Sequence, residues 1–342
     1  MFIYAIRRLL IAIPVLIAAS MFSFLLVDLS SDPVADYKLQ LASQSTNGEI
    51  PKGAVHEFAA HLYLDRSVPE RYWLWLTGIG GRGDIGLLRG KFGPSILGDN
   101  NPIGAEISDR FMITFRLVLI ATLAAIVIAI VTGVISAVKQ YRRVDYALTF
   151  VGFLALAMPT FWIAALIKET GIWANQQAGT TIFYTIGATS PDTSDYSAMG
   201  KAGDIVGHLI LPTLALMLHG YAAASRYQRA AMLEVLDSDY VRLARAKGVR
   251  NRTVMRRHAL RTSLTPIATF APLSIAAALS GAIIVERIFN WEGMGLYVLE
   301  SIQKGDSFAV MAFLLVSGML VIAANLVSDL LYGWLDPRIR YE

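Results

Sequence analysis

From Leu9 to Val27, and again from Leu117 to Val138, the chain runs without one charged side chain. At about 1.5 Å per residue, roughly 18 or more apolar residues cross the ~30 Å hydrocarbon layer of a bilayer as a helix. Further runs repeat the pattern. Ala147–Ile167 stops at Lys168 and Glu169, Leu209–Ser225 is weaker and holds Pro212 and His219, Leu264–Val285 follows, and a last run from Phe308 to near Trp334 meets Asp329 only toward its end. The expectation is an all-α membrane protein with six transmembrane helices. Composition agrees, because 55% hydrophobic and 16% charged residues lie outside the usual range of a soluble domain. Arg7 and Arg8 before the first run suggest a signal peptide, but that run exceeds the ~7–15 residues of a signal core and no small-residue cleavage site precedes Asp28, so it reads as a retained helix.

Lys and Arg in the short connections set the orientation. With the N-terminus inside, the cytoplasmic segments carry Arg7 and Arg8, then Lys139, Arg142 and Arg143, then ten basic residues from Arg226 to Arg261, then Arg338 and Arg340, altogether 17 of 30. Both termini are therefore expected in the cytoplasm. The basic residues serve orientation and give no reason to expect a nucleic-acid partner. Zero cysteines exclude disulfides and thiolate metal sites.

The chain divides into residues 1–30 (N-terminal end and first span), an external insertion at 31–111, a membrane core at 112–335 with a cytoplasmic loop at 226–262, and a cytoplasmic tail at 336–342. The insertion carries a candidate amphipathic helix at 55–64, the aromatic run Tyr72–Trp73–Leu74–Trp75–Leu76 and a glycine-rich stretch at 78–93. A second outer segment, 168–206, reads as a polar loop.

Three motifs resemble chemical sites and fail on context. The string 78-GIGGRG-83 satisfies G-x-G-x-x-G but follows no strand pattern and opens no βαβ unit, so it reads as a turn. His56 and His61 are five residues apart, about 140° around a helix, and cannot face one metal as residues at i and i+4 do. The pairs Gly90–Lys91 and Gly200–Lys201 are followed by Phe92 and Ala202, so no phosphate-binding loop is present. His219 sits mid-span, where a neutral imidazole bonded to a neighbouring helix is the plainer reading and a pathway contact the sharper one. Pro159 and Pro212 read first as kinks and then as gates. Small residues on the fifth span, Ser274 with Ala278 and Ala277 with Gly281, are spaced to let another helix approach closely.

The stretch 237-DSDYVRLARAKGVRNRTVMRRHALR-261 asks more than orientation. Ser238 or Asp239 can cap a helix, and Gly248 suits the left-handed turn that ends one. A helix of about nine residues is marginal alone in water. Tyr240, Leu243, Ala244 and Lys247 share one face, with Arg242 and Arg245 to the side, which suits docking into a groove on another protein. A second helical pattern runs from Asn251 toward Thr262.

Together with 239-DYVRLARAKGV-249, the segments 7-RRLLIAIPVL-16, 64-LDRSVPERYWLWL-76, 83-GDIG-86, 158-MPTFW-162, 208-HLILPTLAL-216, 283-IIVERIFNWEGMG-295 and 325-NLVSDLLYGWLDPRIRY-341 resemble, in order, the B-type permease subunit of dipeptide and oligopeptide ABC importers, which nickel permeases also resemble. The resemblance implies a type I importer permease fold in a bacterial inner membrane. It implies a coupling helix formed by Ser238, Asp239, Tyr240, Arg242, Leu243, Ala244, Arg245, Ala246, Lys247 and Gly248. Of the generic Glu-Ala-Ala motif with its glycine, only Ala244 and Gly248 match. The implied partners are a homologous permease, one or two ABC ATPase subunits that carry ATP and magnesium, an extracytoplasmic peptide-binding protein and membrane lipid. No cofactor or catalytic residue is expected on this chain. A nickel or other small-solute importer is the alternative. An ion-driven transporter would need ionisable residues along its spans, whereas Glu286 and Asp329 lie near span ends; a membrane enzyme would need a partner for His219.

Overall fold

The computed structural model describes residues 2–30, 32–44, 53–96, 102–193 and 195–335, most of them helical. Helix α1 (Phe2–Ser30) is followed by α2 (Pro33–Gln44), α3 (Ala54–His61) and α4 (Val68–Thr77). A two-stranded hairpin, β1 (Ile85–Gly86) and β2 (Lys91–Phe92), precedes α5 (Ile103–Val138), α6 (Arg143–Ala157), α7 (Thr160–Ala178) and α8 (Ala198–Leu236). Then come α9 (Asp239–Ala246), α10 (Asn251–Thr253), a π-helical turn (Val254–Ala259), α11 (Leu260–Ser263), α12 (Thr265–Phe289), α13 (Met294–Lys304) and α14 (Ser307–Leu335). Among the described residues, α1, α5, α8 and α14 are long and apolar enough to cross a membrane, and the bent pair α6 and α7 makes a fifth candidate. Helix α12 occupies the remaining expected span.

The third span differs from its expectation. It is no continuous helix: α6 and α7 meet at 109°. Met158 precedes a proline and is extended (φ −86°, ψ 132°), a conformation the proline ring imposes on its neighbour, and Pro159 then opens α7. Helix α7 also continues past Lys168 and Glu169 to Ala178, and α8 begins at Ala198, where the Ser197 hydroxyl accepts from the Gly200 amide at 3.2 Å. The outer loop expected over 168–206 is thus cut to the residues between those helices. Pro212, by contrast, stays buried within α8.

The chain forms two compact units. One contains Ile6–Met112 and Leu296–Leu320. In it, the Trp75 indole N–H donates to the Phe92 carbonyl at 3.0 Å, fixing α4 to the hairpin, and the Tyr63 hydroxyl donates to Asp84 at 2.6 Å. The stretch 78–83 makes turns into this hairpin, as its glycines suggested. Asp306 caps α14 by accepting from the Ala309 amide at 3.1 Å, and its other oxygen holds the Ser95 hydroxyl at 2.8 Å and the Ile96 amide at 3.0 Å. Burial nevertheless pushes the Asp306 carboxyl above the usual carboxylate range.

The second unit is built on Ile113–Gly295, with α14 from Val321 onward. Its main core joins α5, α7, α8 and α12 through Leu117, Val118, Ala164, Leu209, Ala215, Ala282 and Val285. At the far end of α12, Glu286 is fully buried and accepts from the Thr114 hydroxyl at 2.5 Å, while Thr114 accepts from the Met294 amide at 2.8 Å. This carboxylate ties α12 to α5, and Thr114 in turn holds the start of α13, a structural role. Near the other end, Gly133 of α5 lets α8 approach closely: a Cβ there would lie 2.8 Å from Gln228 Cβ and 2.9 Å from the Ser225 carbonyl oxygen.

Gly133→Ala is therefore expected to destabilise the chain. Helix propensity alone favours alanine by about 1 kcal/mol, but overpacking against a backbone oxygen costs about 1–3 kcal/mol. A lower unfolding temperature of the detergent-purified variant checks this, and an unchanged or higher one would contradict the close approach.

Candidate functional site

The residues singled out at 238–248 fold as a separate short helix hung below the end of α8. The chain leaves α8 at Asp237, Ser238 turns extended (φ −70°, ψ 150°), and α9 runs for eight residues. Ser238 takes the N-cap position, yet its hydroxyl donates back to the Val235 carbonyl at 2.6 Å and makes no cap bond. Asp239 instead supplies negative charge to the first turn, where the helix dipole favours it. Gly248 stops the helix with φ 72°, its amide donating to the Arg245 carbonyl at 3.0 Å, while the Val249 amide donates to the Ala244 carbonyl at 3.2 Å. No atom lies within 4 Å of where a Gly248 Cβ would stand, so the requirement for glycine there is conformational.

Packing decides which face of α9 remains free. Val241 is fully buried in a small core with Ala137 of α5, Met232 and Val235 of α8, and Val254 and Ala259 of the π-helical turn. Ala244, one turn on, packs against the same core. The expectation that Ala244 shares the docking face with Tyr240, Leu243 and Lys247 is thus corrected: with Val241 it anchors α9 to its own chain. Tyr240 and Leu243 project outward, 44% and 55% exposed, and Arg242, Arg245, Ala246 and Lys247 are exposed around them. Arg242 lies 3.9 Å from Asp239, both side chains largely in solvent, so this pair contributes little.

Above α9, three helices are locked by polar contacts that the sequence reading missed. Asp145, at the start of α6, is 3% exposed. It accepts both Arg229 Nε (3.0 Å) and Arg229 Nη2 (2.9 Å) from α8, the Tyr141 amide at 2.9 Å, and the hydroxyl of Ser136 on α5. The fully buried Gln228 donates to the Ser263 hydroxyl at 2.9 Å, joining α8 to α11. By sequence alone Arg229 reads only as an orienting charge. The available signal was Asp145 itself, the lone acid in 139-KQYRRVD-145.

The π-helical turn lies under α9 and shifts the register of the helix that leads into α12. Val254 and Ala259 face the core, and Arg256 and Arg257 stay exposed.

Among the described residues His219 makes no hydrogen bond to a neighbouring helix, contrary to its plainer reading. It is exposed and lines a cavity of about 280 Å³ with Thr122, Thr160, Gly220, Phe270 and Ser274 among others. Pro159 places Thr160 on that wall by ending α6, whereas Pro212 stays in the packed part of α8. Ser274 and Ala278 both line the cavity; the Ser274 hydroxyl donates to the Phe270 carbonyl at 3.2 Å, and Ala278 packs on the main core. The placements of Ala277 and Gly281 side-chain positions lie outside the described residues. Among the described residues no group of three or more His, Asp and Glu side chains is placed to hold a metal.

Comparison with known proteins places this geometry. The family model described as binding-protein-dependent transport system inner membrane component matches residues 129–341. The oligopeptide transport system permease protein OppB of Mycobacterium tuberculosis is 37% identical over 338 residues, 98% of each chain. The oligopeptide transport system permease protein AppB of Bacillus subtilis is 32% identical over 342 residues, 99% of each chain. The dipeptide transport system permease protein DppB of Alkalihalophilus pseudofirmus is 33% identical over 350 residues, with both chains fully covered. Among solved structures, the inward-facing MetNI methionine ABC transporter matches with TM-score 0.51 and 14% identity over 67% of this chain and 96% of that one. An amino acid ABC transporter matches with TM-score 0.50 and 12% identity over 67% and 94%. At such identities the structural matches speak to fold alone, and they carry the type I importer architecture. Since the family model spans most of the chain and relatives above 30% identity span nearly all of it, this protein belongs to the binding-protein-dependent transport system inner membrane component family, as a multi-pass permease subunit of ABC importers.

Proposed function

We propose that this chain forms half of a peptide translocation pathway and transmits ATP-driven motion to it through α9. The observation that carries the reading is the division of α9 into two faces, one anchored by Val241 and Ala244 and one presenting Tyr240 and Leu243. A short helix held to its own bundle on one side and apolar on the other is suited to entering a groove on a partner. The ATPase, which binds ATP and magnesium, is that partner. A homologous permease supplies the other half of the pathway, and an extracytoplasmic binding protein delivers the solute to the side that carries residues 31–111. The relatives named for oligopeptides and dipeptides favour peptides over nickel or another small solute. The His219 cavity supports a place for His219 and Thr160 on the solute route, with Pro159 as the break that opens it. Nucleotide binding would favour one of two global arrangements of the spans, with α9 moving as one body with the base of α8.

Leu243→Asp tests the docking face without touching the chain's own core. Burying a leucine is worth about 1.5–3 kcal/mol, so ATPase co-purification is expected to fall at least tenfold and peptide uptake to fail, with an unchanged unfolding temperature of the isolated permease. Ala244→Trp, by contrast, is expected to lower that unfolding temperature itself. Normal ATPase recruitment and uptake by Leu243→Asp would sink the coupling role.

Orientation is tested with single cysteines, since the chain contains none. In sealed cells a membrane-impermeant thiol reagent is expected to label Leu88→Cys and to reach Ser238→Cys only after the membrane is opened. The reverse pattern would invert the proposed topology.

A further inference from the structure

A second concavity lies away from the docking face and borders the His219 cavity at Ala223, which lines both, and at Tyr227, whose ring packs 5.3 Å from that of Phe270 on the cavity wall. Between α6 and α8, at the end of the unit that carries α9, a groove of about 690 Å³ is lined by Tyr146, Phe153, Leu156, Ala223, Arg226 and Tyr227, among others. Its lining combines apolar side chains, Phe153, Leu156 and Ala223, with Arg226 and the phenols of Tyr146 and Tyr227. Arg229 also faces the groove, but Asp145 already neutralises it.

Arg226 has no such partner. Its guanidinium lies 4.8 Å from the centre of the Phe153 ring, and it makes no hydrogen bond or ion pair among the described residues. The ring holds the cation in place without neutralising it. Arg226 is also the first residue beyond the apolar run Leu209–Ser225, so it stands at the depth where a bilayer changes from acyl chains to headgroups. Tyrosines favour that same level.

We infer that this groove holds one anionic phospholipid, its phosphate on Arg226 and the Tyr146 and Tyr227 hydroxyls, and an acyl chain along Phe153 and Leu156. Three features select this occupant. An unpaired cation calls for an anion, headgroup depth excludes a soluble peptide as the natural source of one, and the apolar part of the lining fits a hydrocarbon tail. Basic pockets between membrane helices recognise anionic headgroups by this combination. Because α6 and α8 are also joined by the Asp145–Arg229 pair, a bound lipid would brace the helix from which α9 hangs. The inference needs the chain to lie in a membrane and is independent of the solute carried.

The test uses the assembled transporter in nanodiscs with photoactivatable phosphatidylglycerol or phosphatidylcholine, each carrying its reactive group in the acyl chain, followed by peptide mapping. Phosphatidylglycerol is expected to label residues of α6 and α8 along the groove about fivefold more than phosphatidylcholine, the preference that one basic residue near the headgroups provides. Arg226→Gln is expected to abolish that preference, Arg226→Lys to keep most of it, and the control Arg257→Gln, on the exposed π-helical turn, to leave it unchanged. Retained preference in Arg226→Gln, equal labelling by both lipids in the native protein, or displacement by inorganic phosphate would each overturn the proposal. So would groove labelling that appears only when the second permease is left out, which would make that subunit the occupant.

Discussion

The Asp145–Arg229 pair is the contact on which the rest of the working end depends. A carboxylate 3% exposed is tolerated there because Arg229 meets it with two nitrogens, Ser136 with a hydroxyl and Tyr141 with an amide. Removing one member of such a set leaves an uncompensated buried charge, which costs more than the set contributes over a well-packed apolar alternative. Its value is geometric. One carboxylate fixes the end of α5, the start of α6 and the last turns of α8 against one another, and Gln228 with Ser263 extends the same junction to α11.

That junction also fixes the ground on which α9 is seated. An eight-residue helix has little stability of its own in water, so its orientation comes from Val241 and Ala244 packed among residues of α5, α8 and the π-helical turn. Force applied at Tyr240 or Leu243 therefore reaches α8 through a packed core, and α8 runs unbroken from Ala198 to Leu236 past the wall of the His219 cavity.

Much of this was legible in the sequence. Charge-free runs announced the spans, and Ser238 to Gly248 announced a short helix between two signals, the second of which is visible in the positive φ of Gly248. What stayed hidden depended on neighbours distant in sequence. Periodicity groups Leu243 and Ala244 on one broad face of α9 but does not say which of them turns into the chain's own core; that follows only from how the chain returns through the π-helical turn. Pro159 announced a bend, not one of 109°, because the angle depends on what α7 packs against. Likewise Arg229, one of ten basic residues in its loop, gave no sign of lying beside an aspartate 84 positions earlier.

The same neighbours separate two kinds of positive charge that composition merges. Arg229 is spent on Asp145, while Arg242, Arg245, Arg256 and Arg257 stand exposed on the side of α9 and its turn. Exposed charges of this kind contribute little to folding and serve orientation and encounter with a partner. Arg226 belongs to neither group, since its ring contact restrains it while its charge meets no ion pair among the described residues. A basic loop in a membrane chain is thus resolved residue by residue into a structural tie, a set of exposed charges and one cation held against a ring. The deciding observation in each case is what the guanidinium touches.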